Sequence, residues 1–244
     1  MTGRIAPFLG LARSLVVYYG MPWRRRGLAR LYAGLVREGD LVFDIGAHVG
    51  NRTRTLHSLG CTVVAVEPQP LLIETLRRTL PKTRATLVEK AVGREPGRAT
   101  LRISSRHPTV STLSARWIET VGKTEGFGAV AWDREADVEV TTLDALIAEF
   151  GCPAFCKIDV EGLEAEILAG LSQPIGLVAF EALAEAADVT RACVDRLGRL
   201  GTYRFNFVAG EGAALVFPEW LDGPSILAAT QERGQGDIYA RLEA

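Results

Sequence analysis

A glycine-rich turn is the first group of residues whose types and spacing can do chemistry. The motif Asp44-Ile45-Gly46-Ala47-His48-Val49-Gly50-Asn51 follows the apolar run 41–45 and leads into a helical pattern. A strand, a glycine turn and a helix bring backbone N–H groups and a helix N-terminus next to a ligand. Gly46 allows close approach of the backbone, and Asp44 can accept from an ammonium group or an ordered water. The motif predicts a ligand site, with an ordinary strand-to-helix turn as the alternative.

An acidic residue, Glu67, ends the β-branched run 62–66. A carboxylate about 20 residues beyond such a glycine turn can accept hydrogen bonds from both ribose hydroxyls. A dinucleotide fingerprint beginning at Gly46 would need two more glycines where the chain has His48 and Asn51. The pattern therefore predicts a nucleoside site and disfavours NAD. The candidate cofactor-binding residues are Asp44, Gly46, Ala47, His48, Gly50, Asn51, Glu67, Pro68, Ala91 and Asp159.

A second cluster of charges, Lys157, Asp159 and Glu161, lies at the end of the apolar run 154–158. Strand alternation puts Lys157 and Asp159 on one face, and buried charges are costly unless they are paired. We predict these three residues as catalytic. Asp159 would deprotonate an acceptor hydroxyl or ligate a divalent metal that does so. Glu161 would cap the next helix, bind the acceptor, or do both.

Glu181 closes the following apolar strand and is a further candidate on the same rim. Together, Asp159, Glu161 and Glu181 are the candidate ligands for a divalent metal. The alternative is that Lys157 pairs with Asp159 or Glu161 only to position the strand end, because structural ion pairs mimic functional ones.

The elements that must position these residues alternate between strands and helices. In the first half we predict strands at 41–45, 62–66 and 85–91, with helices at 51–59 and 70–80. Such alternation implies parallel pairing with right-handed crossovers. The middle segment, about 98–140, is predicted to form loops or small strands over the active face. His107 and the pair Ser111-Thr112 can touch the acceptor there, with a plain polar loop as the alternative.

The second half continues the alternation and then changes it. The predicted elements are an extended run at 138–141, helix 143–150 with Thr142 as N-cap, strand 154–158, helix 163–171, strand 175–180 and helix 183–199. A terminal antiparallel hairpin of 203–208 and 213–217 is predicted around Gly210-Glu211-Gly212. A helix at 224–230 and a short strand at 237–241 complete the chain.

The N-terminal segment differs from the rest in charge. Residues 1–40 carry a net charge of +5, whereas the whole chain carries −1 and gives no electrostatic case for nucleic acid. We predict helices at 8–19 and 24–37, split at Gly20-Met21-Pro22. A basic amphipathic segment can rest on an anionic membrane or partner; a solvated face of a packed helix is the alternative. Residues 1–40 are thus predicted as a basic helical extension of one domain, 41–244, with an insertion at about 98–140.

The cysteines and the lengths of the apolar runs indicate the cellular compartment. Four cysteines, Cys61, Cys152, Cys156 and Cys193, show neither zinc spacing nor a disulfide framework and are predicted to be buried, reduced thiols. No apolar run is long enough to span a bilayer, and Arg13 interrupts the apolar stretch 8–19, which no cleavage site follows. We predict a cytoplasmic protein, with peripheral membrane contact through its N-terminus as an open option. Twenty-four Arg against four Lys indicate a GC-rich bacterial genome.

Three motifs together resemble the FkbM family of S-adenosylmethionine (SAM)-dependent methyltransferases. They are DIGAHVGN at 44–51, VEPQP at 66–70 and KIDVEGLEAEILAGL at 157–171, followed by Phe180-Glu181. The resemblance implies a class I methyltransferase fold, which is an α/β, doubly wound, mostly parallel seven-stranded sheet with helices on both faces and an antiparallel last strand. It also implies SAM as cofactor and O-methylation of a hydroxyl on a sugar, glycan, lipid or polyketide-type small molecule.

By motif position, the resemblance separates two groups of residues. It places Asp44, Gly46, His48, Gly50 and Glu67 in the cofactor site, and Asp159 and Glu161 on the acceptor side. Three other classes stay open: a nucleoside-dependent oxidoreductase, a silent SAM-fold interaction protein and a nucleic-acid methyltransferase. Against an oxidoreductase, the chain lacks the glycines of a dinucleotide-binding motif. Against a silent interaction protein, it keeps the acidic residues Asp44, Glu67 and Asp159. The third lacks an Asn/Asp-Pro-Pro-Tyr motif. A divalent metal and the oligomeric state stay open as well.

Overall fold

The computed structural model describes residues 11, 22–107, 111–114, 117–119, 130–210 and 212–243. The helices are α1 (Pro22–Ala33), α2 (Asn51–Ser58), α3 (Pro70–Thr79), α4 (Leu143–Phe150), α5 (Glu164–Ala169), α6 (Ala187–Leu200) and α7 (Gly223–Arg233). The strands are β1 (Leu41–Ile45), β2 (Thr62–Val66), β3 (Ala85–Val88), β4 (Ala91–Val92), β5 (Gly97–Ile103), β6 (Arg134–Thr141), β7 (Phe155–Ile158), β8 (Leu177–Ala182), β9 (Tyr203–Ala209) and β10 (Gly236–Leu242).

Seven strands form the large sheet in the order β3-β2-β1-β7-β8-β10-β9. The first five of these pair in parallel, whereas β10 is antiparallel to both of its neighbours. The chain therefore has the predicted doubly wound sheet with one antiparallel strand. The strand order brings the ends of β1, β2 and β7 together, where the predicted site residues lie.

The sheet is buried on both faces, as its strand sequences require. Consecutive residues of β1 point to opposite sides, so Val42 packs with Tyr32 of α1 and Leu56 of α2, whereas Phe43 packs with Leu143 of α4. Strands covered on both faces read as continuous apolar runs rather than alternating ones. This explains why the runs 41–45 and 62–66 predict strands correctly despite lacking alternation.

A second, three-stranded sheet in the order β4-β6-β5 occupies part of the middle segment. The predicted single strand 85–91 is wrong, because β3 belongs to the large sheet and β4 to the small one. Glu89 and Lys90 separate them, and the Nζ of Lys90 lies 2.7 Å from Oε1 of Glu139 on β6. The small sheet places Ala91 and Leu101 beside the ends of the large sheet's strands.

The predicted terminal hairpin is also wrong. β9 pairs with β10 rather than with 213–217, which forms no strand in the structure. Ile238, Tyr239 and Ala240 are at most 1% exposed, so β10 takes an interior position between β8 and β9. The segment after β9 is tied down instead by the side chain of Asn206, whose Nδ2 donates to the carbonyl of Phe217 at 2.8 Å.

Several element boundaries follow the local sequence. The predicted N-cap is confirmed, since Oγ1 of Thr142 accepts from the backbone N–H of Ala145 at 3.1 Å. The first helix spans Pro22–Ala33 rather than 24–37, and a short 3₁₀ helix, Ala184–Ala186, precedes α6. Cys152 is exposed, so the prediction of buried thiols holds only for the other three cysteines. The predicted helix at 8–19, apart from Leu11, and Glu211 lie outside the described residues.

Candidate active site

A cavity lies at the carboxyl ends of β1, β2 and β7. Of the residues predicted from the sequence, its lining includes Gly46, His48, Glu67, Pro68, Ala91, Asp159 and Glu161. Its other walls come from the small sheet and from Ser111, Thr112 and Leu113. Asp44, Ala47, Gly50, Asn51, Lys157 and Glu181 are not among the lining residues. The structure thus joins the two predicted clusters in one cavity, although some of their members lie outside its walls.

The turn after β1 has no room for a side chain at Gly46. The residue has φ +81°, and a Cβ there would lie 1.9 Å from the carbonyl oxygen of Asp159. Its N–H donates to the carbonyl of Val66 at 2.9 Å, so the turn touches the ends of two neighbouring strands. Only glycine combines this backbone conformation with so close an approach. Gly46 thus lets the ends of β1 and β7 come together at the wall of the cavity.

Asp44 supports this turn from behind. It is 1% exposed, and its Oδ2 accepts from the hydroxyl of Thr53 at 2.5 Å. Burial raises the pKa of this carboxyl above its usual value. The contact ties the end of β1 to the first turns of α2. The structure therefore gives Asp44 a positioning role, and the Thr53 hydroxyl is a partner that sequence patterns did not single out.

Glu67 is held in a fixed orientation at the cavity wall. The backbone N–H groups of His48 and Gln69 donate to its two carboxylate oxygens at 2.8 and 2.9 Å. Burial raises the pKa of Glu67 to about 7. Each oxygen keeps a second lone pair, so the carboxylate can accept from two neighbouring hydroxyls. This geometry fits the ribose of a nucleoside cofactor.

Lys157 is fully buried in a network of four charges. Its Nζ lies 3.0 Å from Oδ1 of Asp237 and 3.7 Å from Oδ2 of Asp159. Arg52 completes the network, with 2.8 Å to Asp159 and 3.7 Å to Asp237. Burial lowers the pKa of Lys157, but the two carboxylates outweigh it and leave that pKa raised. Lys157 thus stays charged and joins the ends of β7 and β10 through Asp237, a partner that the sequence did not indicate.

Arg52 and Asp237 were missed by sequence reasoning. Arg52 directly follows the glycine motif, but an arginine in a first helical turn carries no specific signal. Asp237 lies opposite Glu181 across the β10–β8 ladder, a pairing that joins residues far apart in sequence. Burial raises the pKa of Asp159, yet Lys157 and Arg52 outweigh it and lower that pKa overall. Asp159 is therefore ionised at neutral pH.

Three carboxyl groups meet near the carboxyl ends of β7 and β8. Oxygens of Asp159, Glu161 and Glu181 lie within 4.8 Å of one another, as predicted for the metal candidates. Burial and the like charges nearby raise the pKa of Glu161 well above its usual value and that of Glu181 to about 8. Asp159 is thus ionised near neutral pH, whereas the raised pKa values of Glu161 and Glu181 mean that these two carboxyls hold their protons more tightly than ordinary ones.

The backbone at Glu161 is held from the middle segment. Glu161 has φ +58°, an uncommon conformation for a non-glycine residue. The hydroxyl of Thr112 donates to its carbonyl at 2.8 Å, and a Cβ at Gly162 would lie 2.2 Å from the ring of Trp117. The prediction that Glu161 caps the next helix is wrong, because the N-cap residue of α5 is Leu163 and no side chain makes a capping hydrogen bond there. The Glu161 side chain therefore remains available to the cavity.

His48 lines the cavity on the cofactor side, with φ +51° in the turn. Burial lowers the pKa of its imidazole to about 4, so the ring is neutral at physiological pH. A base with so low a pKa removes protons poorly. That His48 faces the cofactor stays a prediction.

The raised pKa of Glu181 makes stability depend on pH. Its ordinary pKa of 4.5 becomes about 8 in the folded chain, so its stabilising contribution is complete below 4.5 and is lost as pH rises through about 8. We expect Glu181→Gln to be more stable than the parent at about pH 9, with a smaller difference at about pH 5. Urea unfolding of both proteins at the two pH values measures this, and comparison with the parent cancels the other titrating groups. An equal difference at both values would contradict the assignment.

The strand order, with the antiparallel β10 between β8 and β9, is that of the class I SAM methyltransferases. The glycine turn and the fixed Glu67 carboxylate suit a nucleoside cofactor. Among the described residues, no helix is long and apolar enough to cross a bilayer.

Comparison with known proteins then identifies the family. Residues 44–185 match the model of the methyltransferase FkbM domain. The chain is 31% identical over 198 residues to 31-O-demethyl-FK506 methyltransferase FkbM of Streptomyces tacrolimicus, with 71% of this chain and 75% of that protein covered. The chain belongs to the FkbM family of SAM-dependent methyltransferases.

Two solved structures are similar at low sequence identity. A methyltransferase FkbM from Methylobacillus flagellatus has a TM-score of 0.48 and 17% identity over 85% of this chain. A precorrin-6y C5,15-methyltransferase from Geobacter metallireducens has a TM-score of 0.45 and 15% identity over 87% of this chain. The chain spans 45% of the length of the first protein and 84% of the second.

Proposed function

We propose that the protein methylates a hydroxyl group on a sugar, glycan, lipid or polyketide-type small molecule. The observation that carries this proposal is a single cavity lined at one end by Glu67 and at the other by Asp159 and Glu161. A group that holds a ribose and groups that handle an acceptor's proton thus face the same space. The name of the Streptomyces relative places its methyl transfer on an oxygen, which supports an oxygen acceptor here.

SAM, when bound, supplies a methyl group that its sulfonium already activates. Glu67 would hold the ribose, the turn at Gly46 would pass beneath the methionine part, and Pro68 and Ala91 would contact the nucleoside. Because the methyl group is activated, alignment of the acceptor oxygen is the protein's main task. Positioning of this kind supplies roughly 7–11 kcal/mol in favourable cases.

Two residues of the carboxyl cluster, Asp159 and Glu161, would have different roles toward the acceptor hydroxyl. Asp159 stays ionised beside Arg52 and Lys157, which makes it a weak base but a strong hydrogen-bond acceptor. It would orient the acceptor O–H. Glu161 lines the cavity and has a raised pKa, so in its ionised form it would take the proton from that hydroxyl. This assigns the base to Glu161 rather than to Asp159.

A metal-assisted version uses the same three carboxyl groups. Oxygens within 4.8 Å of one another can share a divalent cation, and carboxylates are the ligands that Mg²⁺ and Ca²⁺ prefer. A cation there would lower the pKa of a bound hydroxyl directly. The direct proton transfer to Glu161 does not need it, so the two versions differ in their response to a chelator.

A transfer assay tests the proposed function. With methyl-labelled SAM, we expect label to appear on hydroxylated sugars, lipids or polyketides and to be lost when the acceptor hydroxyl is replaced by hydrogen. Preincubation with a chelator should leave the rate unchanged if Glu161 acts as the base, whereas loss of activity restored by Mg²⁺ supports the metal version. Binding of NAD in place of SAM in calorimetry would instead favour the oxidoreductase alternative.

The contact with a membrane also stays a proposal. Arg25, Arg26 and Arg30 of α1 are exposed, and α1 packs against the large sheet through Leu31 and Tyr32. Such a basic, outward helix face is suited to an anionic lipid surface. It fits an acceptor that is itself membrane-bound, such as a lipid or a lipid-linked glycan. A cytoplasmic location and the absence of nucleic-acid partners remain predictions as well.

A further inference from the structure

Gln69 carries a buried carbonyl oxygen that the fold leaves unsatisfied. The residue is 3% exposed, it lines the cavity, and among the described residues its Oε1 has no hydrogen-bond partner. Buried carboxamide oxygens in native proteins are nearly always paired. On a residue that lines a cavity, an unpaired oxygen indicates a hydrogen-bond donor on the cavity's ligand.

The helix that follows does not use this side chain. Gln69 is the N-cap residue of α3, yet its side chain accepts no capping hydrogen bond. Its backbone N–H is engaged instead, donating to Oε1 of Glu67 at 2.9 Å. The backbone of Gln69 therefore helps to fix the ribose-binding carboxylate, while the side chain extends from the same point with its oxygen unused.

The sheet order shows which part of the cofactor reaches Gln69. β1 lies between β2 and β7, so Glu67 after β2 and Asp159 after β7 lie on opposite sides of it. With the ribose at Glu67 and the reactive methyl toward Asp159, the base must extend outward, past β2 and toward the end of β3. Pro68, Leu72 and Ala91 line the cavity on this outer side, which suits a flat, largely apolar base.

We infer that Oε1 of Gln69 accepts a hydrogen bond from the exocyclic amino group of the cofactor's adenine. This inference rests on the proposed function through its cofactor. The amino group is adenine's hydrogen-bond donor, whereas the base's ring nitrogens accept. The ribose hydroxyls, the other donors of the nucleoside, are served by Glu67. Gln69 would thus read the identity of the base while Glu67 holds the sugar.

Calorimetry with two ligands tests the inference directly. The ligands are S-adenosylhomocysteine (SAH) and its analogue with an unsubstituted purine, which lacks only the amino group. We expect the parent protein to bind SAH roughly three- to tenfold more tightly than the analogue, as for one neutral hydrogen bond. Gln69→Leu should bring this ratio to about one, because the two partners of the bond form a double-mutant cycle.

Two further variants make the result specific. Gln69→Glu keeps an acceptor oxygen and should keep the preference for SAH, which separates the hydrogen bond from side-chain shape. Gln231→Leu changes an exposed glutamine of α7 and should match the parent. An unchanged ratio in Gln69→Leu would overturn the inference while leaving the cofactor in place. If the parent binds neither ligand, the proposed function fails as well.

Discussion

Asp159→Asn is expected to lower methyl transfer at least roughly a hundredfold while the affinity for SAH persists. The carboxylate accepts from Arg52 at 2.8 Å and lines the cavity, so its neutral replacement weakens both the network and the hold on the acceptor hydroxyl. Misplacement of a reacting group by about 1 Å can cost about a hundredfold in rate. Single-turnover kinetics with labelled SAM and calorimetry with SAH measure the two quantities separately.

Asp237→Asn is the matched control for this prediction. Asp237 contacts the same two cations, Lys157 at 3.0 Å and Arg52 at 3.7 Å, but it is not among the residues lining the cavity. Both variants leave Lys157 with one carboxylate fewer, and removing one partner of a buried pair typically costs about 3–5 kcal/mol of stability. Activity should fall much further in Asp159→Asn. Equal losses of activity would mean that Asp159 only positions the end of β7.

The pH profile separates Asp159 from Glu161. In the parent, the rate should rise with pH as Glu161 loses its proton, since its pKa is raised by burial and by neighbouring carboxylates. The slow Asp159→Asn variant should keep a rising profile because it retains this base. A transfer rate that does not change with pH in Asp159→Asn would mean that Asp159, and not Glu161, is the general base.

Gly46→Ala is expected to abolish SAH binding and to lower the free energy of unfolding by at least about 2 kcal/mol. The left-handed conformation at φ +81° costs a non-glycine residue roughly 1–2 kcal/mol. The added methyl would lie 1.9 Å from the carbonyl oxygen of Asp159, so β1 and β7 must separate at the cavity floor. Strain of this kind in a packed site adds roughly 1–3 kcal/mol. Urea unfolding and SAH calorimetry check the two effects.

Gly39→Ala is the control for Gly46→Ala, because it adds the strain of a left-handed backbone conformation without a steric clash. Gly39 has φ +89°, but a Cβ there would meet no atom within 4 Å. It should therefore lose only about 1–2 kcal/mol of stability and bind SAH like the parent. If both variants bind SAH normally, the turn at Gly46 does not form part of the cofactor site.

Local patterns in the sequence determined the parts of the fold that depend on neighbouring residues. The apolar runs at 41–45 and 62–66, the N-cap at Thr142 and helix 143–150 are all found where the sequence predicts them. The antiparallel strand came from family resemblance, since an interior strand such as β10 has no local signal for its partners. The hairpin prediction failed for that reason, because adjacent segments pair more often than distant ones.

The residues proposed to bind the cofactor were easier to predict from the sequence than those proposed to bind the acceptor. The glycine turn and Glu67 lie in short, continuous motifs, and the cavity lining contains both. The acceptor side is assembled from distant segments: Arg52, Asp237, Glu181 and Thr112 reach it from four different elements or loops. Its electrostatics depend on which charges come within a few ångströms of one another, and this is set by strand order.

The sequence by itself thus determined the class of the protein, its family and the residues of two motifs. Only the tertiary structure decided that Lys157 is bound in a buried network, that the pKa of Asp159 is lowered and that the pKa values of Glu161 and Glu181 are raised. It also showed that, within the described part of the chain, Oε1 of Gln69 has no hydrogen-bond partner. The physical reason is that motifs encode local backbone geometry, whereas pKa values and hydrogen-bond satisfaction depend on burial and on contacts between segments far apart in the chain.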